Sequence, residues 1–389
     1  MIGVIADDLT GAAELAGIGH RYGLRSDVIV RGGWNSDAEL ICVDTDSRSV
    51  SANEAARRAA SAARKLRKAG ARWIYKKVDS VLRGNVFAEV SAVQQALAFR
   101  SALLAPANPG FGRVIKNGQY FVNGKRINET DFARDPQYPR TSANVHELLG
   151  MAETQAVTVC GLTKAIPTAG IILAEVSSSA DVQEWASRLD RDMLPAGGAE
   201  FFAALLAKIL RREKNGASRR RGKAADAKNF ASQRELFICG SSSDYTERFV
   251  REARRNGTPV FSIVQPDSND SYSKRFVDTL VQQTIIEFRR HLRVVIAIGR
   301  PLLDGPNIAR ELTKRLVKTA VAVIVQAKPE HLYAEGGATA AELVRQLKWK
   351  RMRVVIELAP GVITLLSPER KFPTLTIKPG SYSGWPKLR

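Results

Sequence analysis

Short apolar runs alternate with longer amphipathic stretches along most of the chain. Residues 2–5, 39–43 and 73–78 have the length of buried strands, and each run is followed by polar residues and then by a helical pattern. The same alternation returns in the second half, with strands predicted at 236–239 and 294–298. Strands that alternate with helices indicate parallel sheets. The pattern therefore predicts an α/β fold with two domains, each a largely parallel sheet flanked by helices, and a cleft between them.

A break in this pattern marks the domain boundary. Residues 211–234 are rich in Arg, Lys, Ser and Ala and poor in apolar residues, which is typical of a solvated linker. A chain of 389 residues also exceeds one ordinary domain core. We therefore predict a first domain at 1–210, a basic linker at 211–234 and a second domain at 235–389. Within the second domain we predict a helix at 305–317 and a strand at 320–325.

Composition narrows the class of protein. The net charge of +20 suits nucleic acid, an anionic small substrate or a basic proteome. Much of it falls in the linker, without a basic motif interleaved with aromatic residues, so we expect no nucleic-acid partner. No apolar run is long enough to cross a bilayer and no signal-peptide pattern opens the chain, so we expect a cytoplasmic protein without a membrane partner. The three cysteines lack metal-site or disulfide spacing, which predicts buried thiols.

Two adjacent carboxylates follow the first predicted strand. Asp7 and Asp8 come directly after the apolar run, and Thr10 opens the next helical pattern. In open α/β sheets ligands bind beyond the carboxyl ends of the strands. The alternative interpretation is that Asp8 or Thr10 only caps the helix. Only one residue can serve as the cap, so the second carboxylate requires a cation, a hydroxyl or solvent.

A second cluster of polar residues follows the strand at 73–78. It contains Lys77, Asp79, Arg83 and Asn85. An arginine fork suits a carboxylate, and an aspartate accepts hydrogen bonds from hydroxyls, so the cluster suits a polyhydroxy acid. A surface ion-pair group is the alternative interpretation. Asp44 and Arg48, after the strand at 39–43, are further candidates at the same predicted edge.

No conventional phosphate-binding loop is present. The glycines of residues 118–125 are one residue too far apart for a Walker loop. Two small-residue turns offer other backbone N–H groups at predicted strand-to-helix turns, at 240–243 (GSSS) and 336–340 (GGATA). Serine and glycine are also common as plain helix caps.

Four segments of the N-terminal half together resemble a known family. They are ADDLTGA at 6–12, KKVDSVLRGN at 76–85, PANPGFGRVIKNGQYFVNG at 106–124 and ETDFARDP at 129–136. In this order they are similar to the N-terminal domain of the four-carbon acid sugar kinases, bacterial enzymes that use ATP to phosphorylate erythronate, threonate or 3-oxo-tetronate. The resemblance implies a sugar-acid site in the first domain, ATP in the second, and Mg²⁺ bridging the phosphates of ATP.

The second domain resembles the family's nucleotide domain with two departures. The resemblance implies nucleotide contacts from four turns, which contribute Ser241 and Ser242, Gly336, Gly337 and Thr339, Pro360 and Gly361, and Gly380. Ala338 stands where the family usually has an acidic residue, and Tyr382-Ser383 stand where it usually has Phe-Gly. These departures leave open a sugar-acid-binding protein whose kinase activity is weakened or lost.

A mechanism follows from the resemblance and the residues together. The groups expected to bind the substrate are Asp7, Asp8, Lys77, Asp79, Arg83 and Asn85, with Asp8 and Asp79 as the catalytic residues. Arg83 and Lys77 would meet the carboxylate, and Asp8 would orient or deprotonate the attacking hydroxyl. No residue is assigned to a metal. A nucleotide-independent sugar-acid lyase is the other enzyme class left open, and the sequence selects neither the stereoisomer nor an oligomeric state, a homodimer being one option.

Overall fold

The computed structural model describes residues 1–135, 138–150, 157–214, 234–241, 243–263, 274–299, 306–368, 373–380 and 385. The chain forms two compact units. The first comprises Met1–Val30 and Trp34–Gly222, and the second comprises Arg31–Gly33 and Lys223–Arg389.

The first unit contains an eight-stranded parallel sheet in the order β2-β3-β1-β4-β11-β5-β10-β9. Its strands are β1 (Ile2–Ala6), β2 (Ser26–Ile29), β3 (Leu40–Asp44), β4 (Trp73–Lys77), β5 (Ser101–Ala105), β9 (Val157–Cys160), β10 (Gly170–Ala174) and β11 (Met193–Gly197). The helices are α1 (Leu9–Arg21), α2 (Ala52–Lys68), α3 (Val86–Ala96), α4 (Val145–Leu148), α5 (Ser179–Arg188) and α6 (Ala199–Lys214). A small antiparallel sheet is formed by β6 (Arg113–Lys116), β7 (Gln119–Val122) and β8 (Lys125–Arg126).

The order of these strands places β1 at a topological switch point. The chain runs from β1 outward to β2 and β3 on one side, and then crosses to β4 on the other side. Every residue of β3 and β5 is buried, as expected for parallel strands covered on both faces. Because ligands of open α/β sheets bind at such switch points, the carboxyl ends of β1, β3 and β4 form the favoured edge.

The second unit contains a mixed sheet in the order β13-β14-β12-β15-β18-β17-β16. Its strands are β12 (Glu235–Cys239), β13 (Val260–Ile263), β14 (Arg293–Ile298), β15 (His331–Glu335), β16 (Arg351–Ala359), β17 (Val362–Leu366) and β18 (Thr374–Lys378). The helices are α7 (Asp244–Arg255), α8 (Lys274–Glu287), α9 (Pro306–Ala327) and α10 (Gly337–Gln346). Strands β13, β14, β12, β15 and β18 are parallel, whereas β17 is antiparallel to β16 and β18. The predicted α/β class with largely parallel sheets is confirmed.

The strand predicted at 320–325 is wrong. These residues belong to α9, which continues to Ala327 without a turn. Along α9 the buried residues are Leu312, Leu316, Val317, Thr319, Ala320, Val323, Ile324 and Ala327. Steps of three and four residues are the periodicity of a helix face, and this packing outweighs the strand preference of the β-branched residues. The next strand along the chain is β15, which was not predicted from its sequence, HLYAE.

The predicted linker is partly helical. Helix α6 continues to Lys214, four residues beyond the predicted end of the first domain. Residues 215–233 lie outside the described part of the chain. The three cysteines are buried, Cys42 in β3, Cys160 in β9 and Cys239 in β12, so the prediction of buried thiols is confirmed. In the described ranges, every helix is too short or too polar to span a bilayer.

We expect the buried His331 to make the stability of the second unit depend on pH. Its Nε2 lies 2.9 Å from Thr376 Oγ1 in β18, and burial lowers the pKa of His331 to about 4. The unfolded chain binds its proton near pH 6.5. The stabilisation is therefore complete above pH 6.5 and is lost as the pH falls towards 4. Comparing urea unfolding of wild type and His331→Asn, the difference in unfolding free energy should shrink by on the order of 2 kcal/mol between pH 7 and 4.5. A difference that is the same at both pH values would contradict this.

Candidate functional site

Three strand ends bring the predicted polar residues of the first unit to one edge. Asp7 and Asp8 follow β1, Arg48 lies in the turn after β3, and Asp79 follows β4. The parallel register pairs Ala6 with Asp44 and Ile5 with Lys76, so the three strands end at the same level. The carboxylates predicted from separate strands therefore converge.

Arg48 lies at the centre of this edge and joins three carboxylates. Its Nε and Nη2 donate to the two oxygens of Asp7 at 2.7 and 3.0 Å. Its Nη1 lies 2.8 Å from Asp8 Oδ2, and its Nη2 lies 3.8 Å from Asp79 Oδ2. A bidentate guanidinium contact fixes both position and orientation. The sequence indicated Arg48 only as a further candidate, because nothing in the motif itself marks a residue as central.

Asp79 is held by a second arginine. Arg83 donates through Nε and Nη2 to the two oxygens of Asp79 at 3.1 and 2.9 Å. Its Nη1 donates to Asp135 at 3.1 Å. Asp79 Oδ1 also accepts from the backbone N–H of Val81 and Arg83. With a side chain 30% exposed against 19% for Arg48, Arg83 is the more accessible cation of the pair.

The carboxylates differ in their protonation. Burial raises the pKa of Asp7, but the charge and hydrogen bonds of Arg48 outweigh it, so this pKa lies below its usual range. Arg83 and Arg48 likewise outweigh burial at Asp79 and hold its pKa well below its usual range. At Asp8, burial together with the neighbouring charge of Asp7 outweighs Arg48, and the pKa is raised. Asp8 is therefore the carboxylate of this trio that binds a proton most readily.

Asp8 also serves as the cap of α1. Its Oδ1 accepts from the backbone N–H of Gly11 at 2.8 Å, while its Oδ2 faces Arg48. The capping and functional interpretations of the sequence are thus compatible, since each uses a different oxygen. Among the described atoms, the buried hydroxyl of Thr10 has no hydrogen-bond partner.

Two predicted residues face the protein rather than the open edge. Lys77 Nζ donates to the carbonyl of Val78 at 3.0 Å and lies 3.4 Å from Glu14, with its side chain 6% exposed. Asn85 Nδ2 donates to the carbonyls of Ser47 and Val50 at 3.2 and 2.9 Å. Both side chains therefore support the backbone around the cluster.

The sequence analysis did not identify two residues that contact the arginines of this edge, Asp135 and Tyr138. Asp135 binds Arg83, and its Oδ1 accepts from the backbone N–H of Tyr138. The hydroxyl of Tyr138 donates to the carbonyl of Arg48. Asp135 lies in the segment ETDFARDP, so the family resemblance was the available signal.

The second unit has its own set of converging turns. Cys239, Glu335 and Lys378 are in register at the ends of β12, β15 and β18. A Cβ atom added to Gly380 would lie 2.4 Å from Ser241 Oγ, and one added to Gly336 would lie 3.8 Å from Ser241 N. The turns that follow these three strands therefore touch one another.

The remaining predicted nucleotide residues lie at the same sheet end. Ile363 pairs with Ile377, which places Pro360 and Gly361, before β17, beside the end of β18. Gly336 has a φ of +95° and caps α10 without a side chain, and Gly337 and Thr339 lie in the first turn. A helix N-terminus with free N–H groups suits phosphate. Ser242, Tyr382 and Ser383 lie outside the described residues.

A buried ion pair supports these turns. Lys378 Nζ lies 2.8 Å from Glu335 Oε1, and the two side chains are 1% and 0% exposed. Lys378 also donates to the carbonyl of Pro379, so the pair holds the turn that carries Gly380. Across the parts of the chain that the structure describes, no group of three or more His, Cys, Asp or Glu is arranged to hold a metal ion.

Comparison with protein families assigns a class to each unit. Residues 2–193 match the sugar-binding N-terminal domain model, and residues 236–382 match the nucleotide-binding C-terminal domain model. The fold and site thus define a two-domain protein that combines a sugar-binding and a nucleotide-binding module. The chain belongs to the four-carbon acid sugar kinase family.

Several similar proteins carry kinase names. A D-threonate kinase of Salmonella typhimurium is 26% identical over 92% of this chain and 89% of the relative. A 3-oxo-tetronate kinase of Haemophilus influenzae is 24% identical over 98% of this chain and 97% of the relative. A D-threonate kinase of Bordetella bronchiseptica is 34% identical, but the match spans only 52% of this chain and 54% of the relative.

Solved structures share the fold. A Haemophilus influenzae protein has a TM-score of 0.72 at 21% identity, covering 98% of this chain and 97% of the other. A Salmonella typhimurium protein has a TM-score of 0.75 at 19% identity, covering 98% and 96%. At these identities the likeness concerns the fold alone.

Proposed function

We propose that the protein is a kinase that transfers the γ-phosphoryl group of ATP to a hydroxyl of a four-carbon sugar acid of the threonate, erythronate or 3-oxo-tetronate type. The observation that carries the proposal is the convergence of three carboxylates on Arg48, with Arg83 beside them, inside the sugar-binding unit. Such an edge offers acceptors for hydroxyls and a cation for a carboxylate, which are the groups of a small polyhydroxy acid.

The arrangement supports Arg83 as the principal contact of the substrate carboxylate. Each Nη of a guanidinium carries two N–H groups, and Arg83 uses one contact at each Nη within the described structure. The sequence analysis assigned both Lys77 and Arg83 to the substrate carboxylate. Lys77 is instead directed at Glu14 and Val78, so we assign it charge balance, and we assign Asn85 support of the turn after β3.

We assign the proton transfer to Asp8. Phosphoryl transfer depends mainly on positioning and charge neutralisation. The substrate hydroxyl would give its proton to Asp8, its oxygen would form the new bond to the γ-phosphorus, and the bond to the β-phosphate oxygen would break and release ADP. Asp7 and Asp79, held ionised by the arginines, would accept hydrogen bonds from the remaining hydroxyls.

We assign ATP to the turns that converge in the second unit. Ser241, the N-terminus of α10 with Gly336, Gly337 and Thr339, and Gly380 offer N–H and hydroxyl groups to the phosphates. Mg²⁺ would enter as the MgATP complex, held by phosphate oxygens and water. Both oxygens of Asp8 already have protein partners, Arg48 and Gly11. We therefore assign Asp8 the role of proton acceptor rather than that of metal ligand.

The raised pKa of Asp8 predicts the acid limb of the pH profile. Asp8 accepts a proton only when ionised, so kcat/KM should rise as the pH increases through its pKa. Because burial and Asp7 raise this pKa above 3.8, the acid limb should lie at higher pH than for an unperturbed carboxyl group. Steady-state rates at saturating MgATP from pH 4 to 8 measure it. A value of kcat/KM that stays constant down to pH 4 would contradict the assignment, because the ordinary aspartate pKa is about 3.9.

A coupled ADP-release assay with a panel of four-carbon sugar acids tests the function. We expect ADP formation that depends on one or more of these acids, and thermal stabilisation by the same acids. Stabilisation by an acid without ADP formation would instead favour a sugar-acid-binding protein, the alternative that Ala338, exposed in the first turn of α10, supports. Conversion of the acid without ATP would indicate the lyase.

A further inference from the structure

A second ion pair lies next to the carboxylate cluster and is closed to solvent. Lys76 Nζ lies 2.6 Å from Glu89 Oε2, and the two side chains are 1% and 2% exposed. Groups this deeply buried do not touch a substrate. Burying two charges costs desolvation free energy, and apolar residues of similar size are often as stabilising or more so. Stability alone therefore does not explain this pair.

The pair connects three strand ends. Glu89 Oε1 accepts from Ser47 Oγ at 2.7 Å, in the turn after β3. Lys76 Nζ donates to the carbonyl of Ile5 near the end of β1 at 3.5 Å. Lys76 Nζ donates to the carbonyl of Lys77 at the end of β4 at 2.7 Å.

The turn held by this network carries Arg48. The backbone N–H groups of Ser47 and Arg48 donate to the carbonyl of Asp7 at 2.9 and 3.3 Å. Asp46, in the same turn, has a φ of 48°, a left-handed conformation that is uncommon among non-glycine residues. A turn of this kind needs anchors, and Ser47 with Glu89 is a fully buried one.

We propose that Glu89 is a positioning residue that, through Ser47 and Lys76, fixes the turn at 45–48 and thereby holds Arg48 against Asp7 and Asp8. The inference deepens the proposed function and rests on it for the activity measurement. Glu89 acts on Arg48 through Ser47 and does not meet the substrate.

Two variants of the full-length protein separate positioning from plain stability. Ser47→Ala removes the hydroxyl and keeps the ion pair. Lys76→Met/Glu89→Leu removes the anchor and both charges, so no unpaired charge stays buried. Glu184→Gln, which breaks an exposed ion pair with Arg188 on α5, is the matched control.

Hydrogen exchange and kinetics together decide the question. In both variants we expect the amides of residues 45–50 to exchange about tenfold faster or more, with the unfolding midpoint close to wild type. We also expect kcat/KM for the sugar acid to fall about tenfold, with KM for ATP unchanged. The control should match wild type in every measurement.

Wild-type exchange at 45–50 in Ser47→Ala would overturn the proposal, even if the double variant failed to fold. Wild-type exchange and activity in the double variant would also overturn the proposal, because they would show that the ion pair contributes only to stability. If wild type forms no ADP with any of the acids, the proposed function fails, while the exchange measurement still decides the role of Glu89.

Discussion

Replacing Arg48 with Met should lower kcat/KM for the sugar acid by at least about 100-fold, because three carboxylates would lose their common cation. Removing one partner of a buried ion pair also lowers the free energy of unfolding, by about 3 kcal/mol or more. The ionised forms of Asp7 and Asp8 would then repel each other, so the pKa of Asp8 would rise further and the base would be protonated over more of the pH range. The unfolding midpoint of the first unit should fall as well.

A surface arginine supplies the control for this variant. Arg57 on α2 is 71% exposed and pairs with Glu54, so Arg57→Met should leave kcat/KM within about twofold of wild type. Steady-state kinetics should be measured at a temperature where both variants are folded, as shown by circular dichroism. An Arg48→Met enzyme within about threefold of wild type would show that the cluster does not act on the substrate.

The second large effect is expected at Asp8. Asp8→Asn should lower kcat by about 100- to 10,000-fold, because the amide cannot accept the hydroxyl proton. The amide oxygen can still accept from Gly11 N–H, so the cap of α1 should survive. The amide nitrogen would then face Arg48 in place of Asp8 Oδ2, so kcat should be measured at a temperature where circular dichroism shows the variant to be folded. KM for ATP should be unchanged, since the residues proposed to contact the nucleotide belong to the second unit.

Asp46→Asn is the matched control for Asp8→Asn. Asp46 is exposed, lies in the neighbouring turn and has a positive φ that asparagine tolerates. Its kcat should equal that of wild type. If Asp8→Asn retained more than about a tenth of wild-type kcat, Asp8 would be a cap and an ion-pair partner only, and the base would have to be sought elsewhere.

The sequence predicted which end of the sheet carries the candidate site better than it predicted the contacts among the side chains there. The rule that ligands bind beyond parallel strand ends located Asp7, Asp8 and Asp79 from the sequence alone, because apolar runs define where strands stop. It did not place Arg48 at the centre, since a long, flexible side chain reaches its partners through the turn geometry. Nor did it show that Lys77 and Asn85 face the protein, because strand position alone does not fix rotamers.

The same limit explains the errors in the fold. Residues 320–325 have strand propensity but lie in α9, since one face of the helix packs against the core. Strand β11, MLPAG, lies between β4 and β5. It was not predicted, because proline and glycine have low strand propensity; pairing with its two neighbours stabilises it. Ser242 and residues 215–233 of the predicted linker at 211–234 fall outside the described residues, so the role of Ser242 and the linker stay predictions.

Phosphorus NMR of the full-length protein with MgATP and a four-carbon sugar acid tests the central claim most directly. We predict a new phosphomonoester resonance that grows in step with ADP, that requires the sugar acid, and that Asp8→Asn and Arg48→Met strongly slow. ATP that stays intact in the presence of every acid, or that yields only inorganic phosphate, would contradict the account.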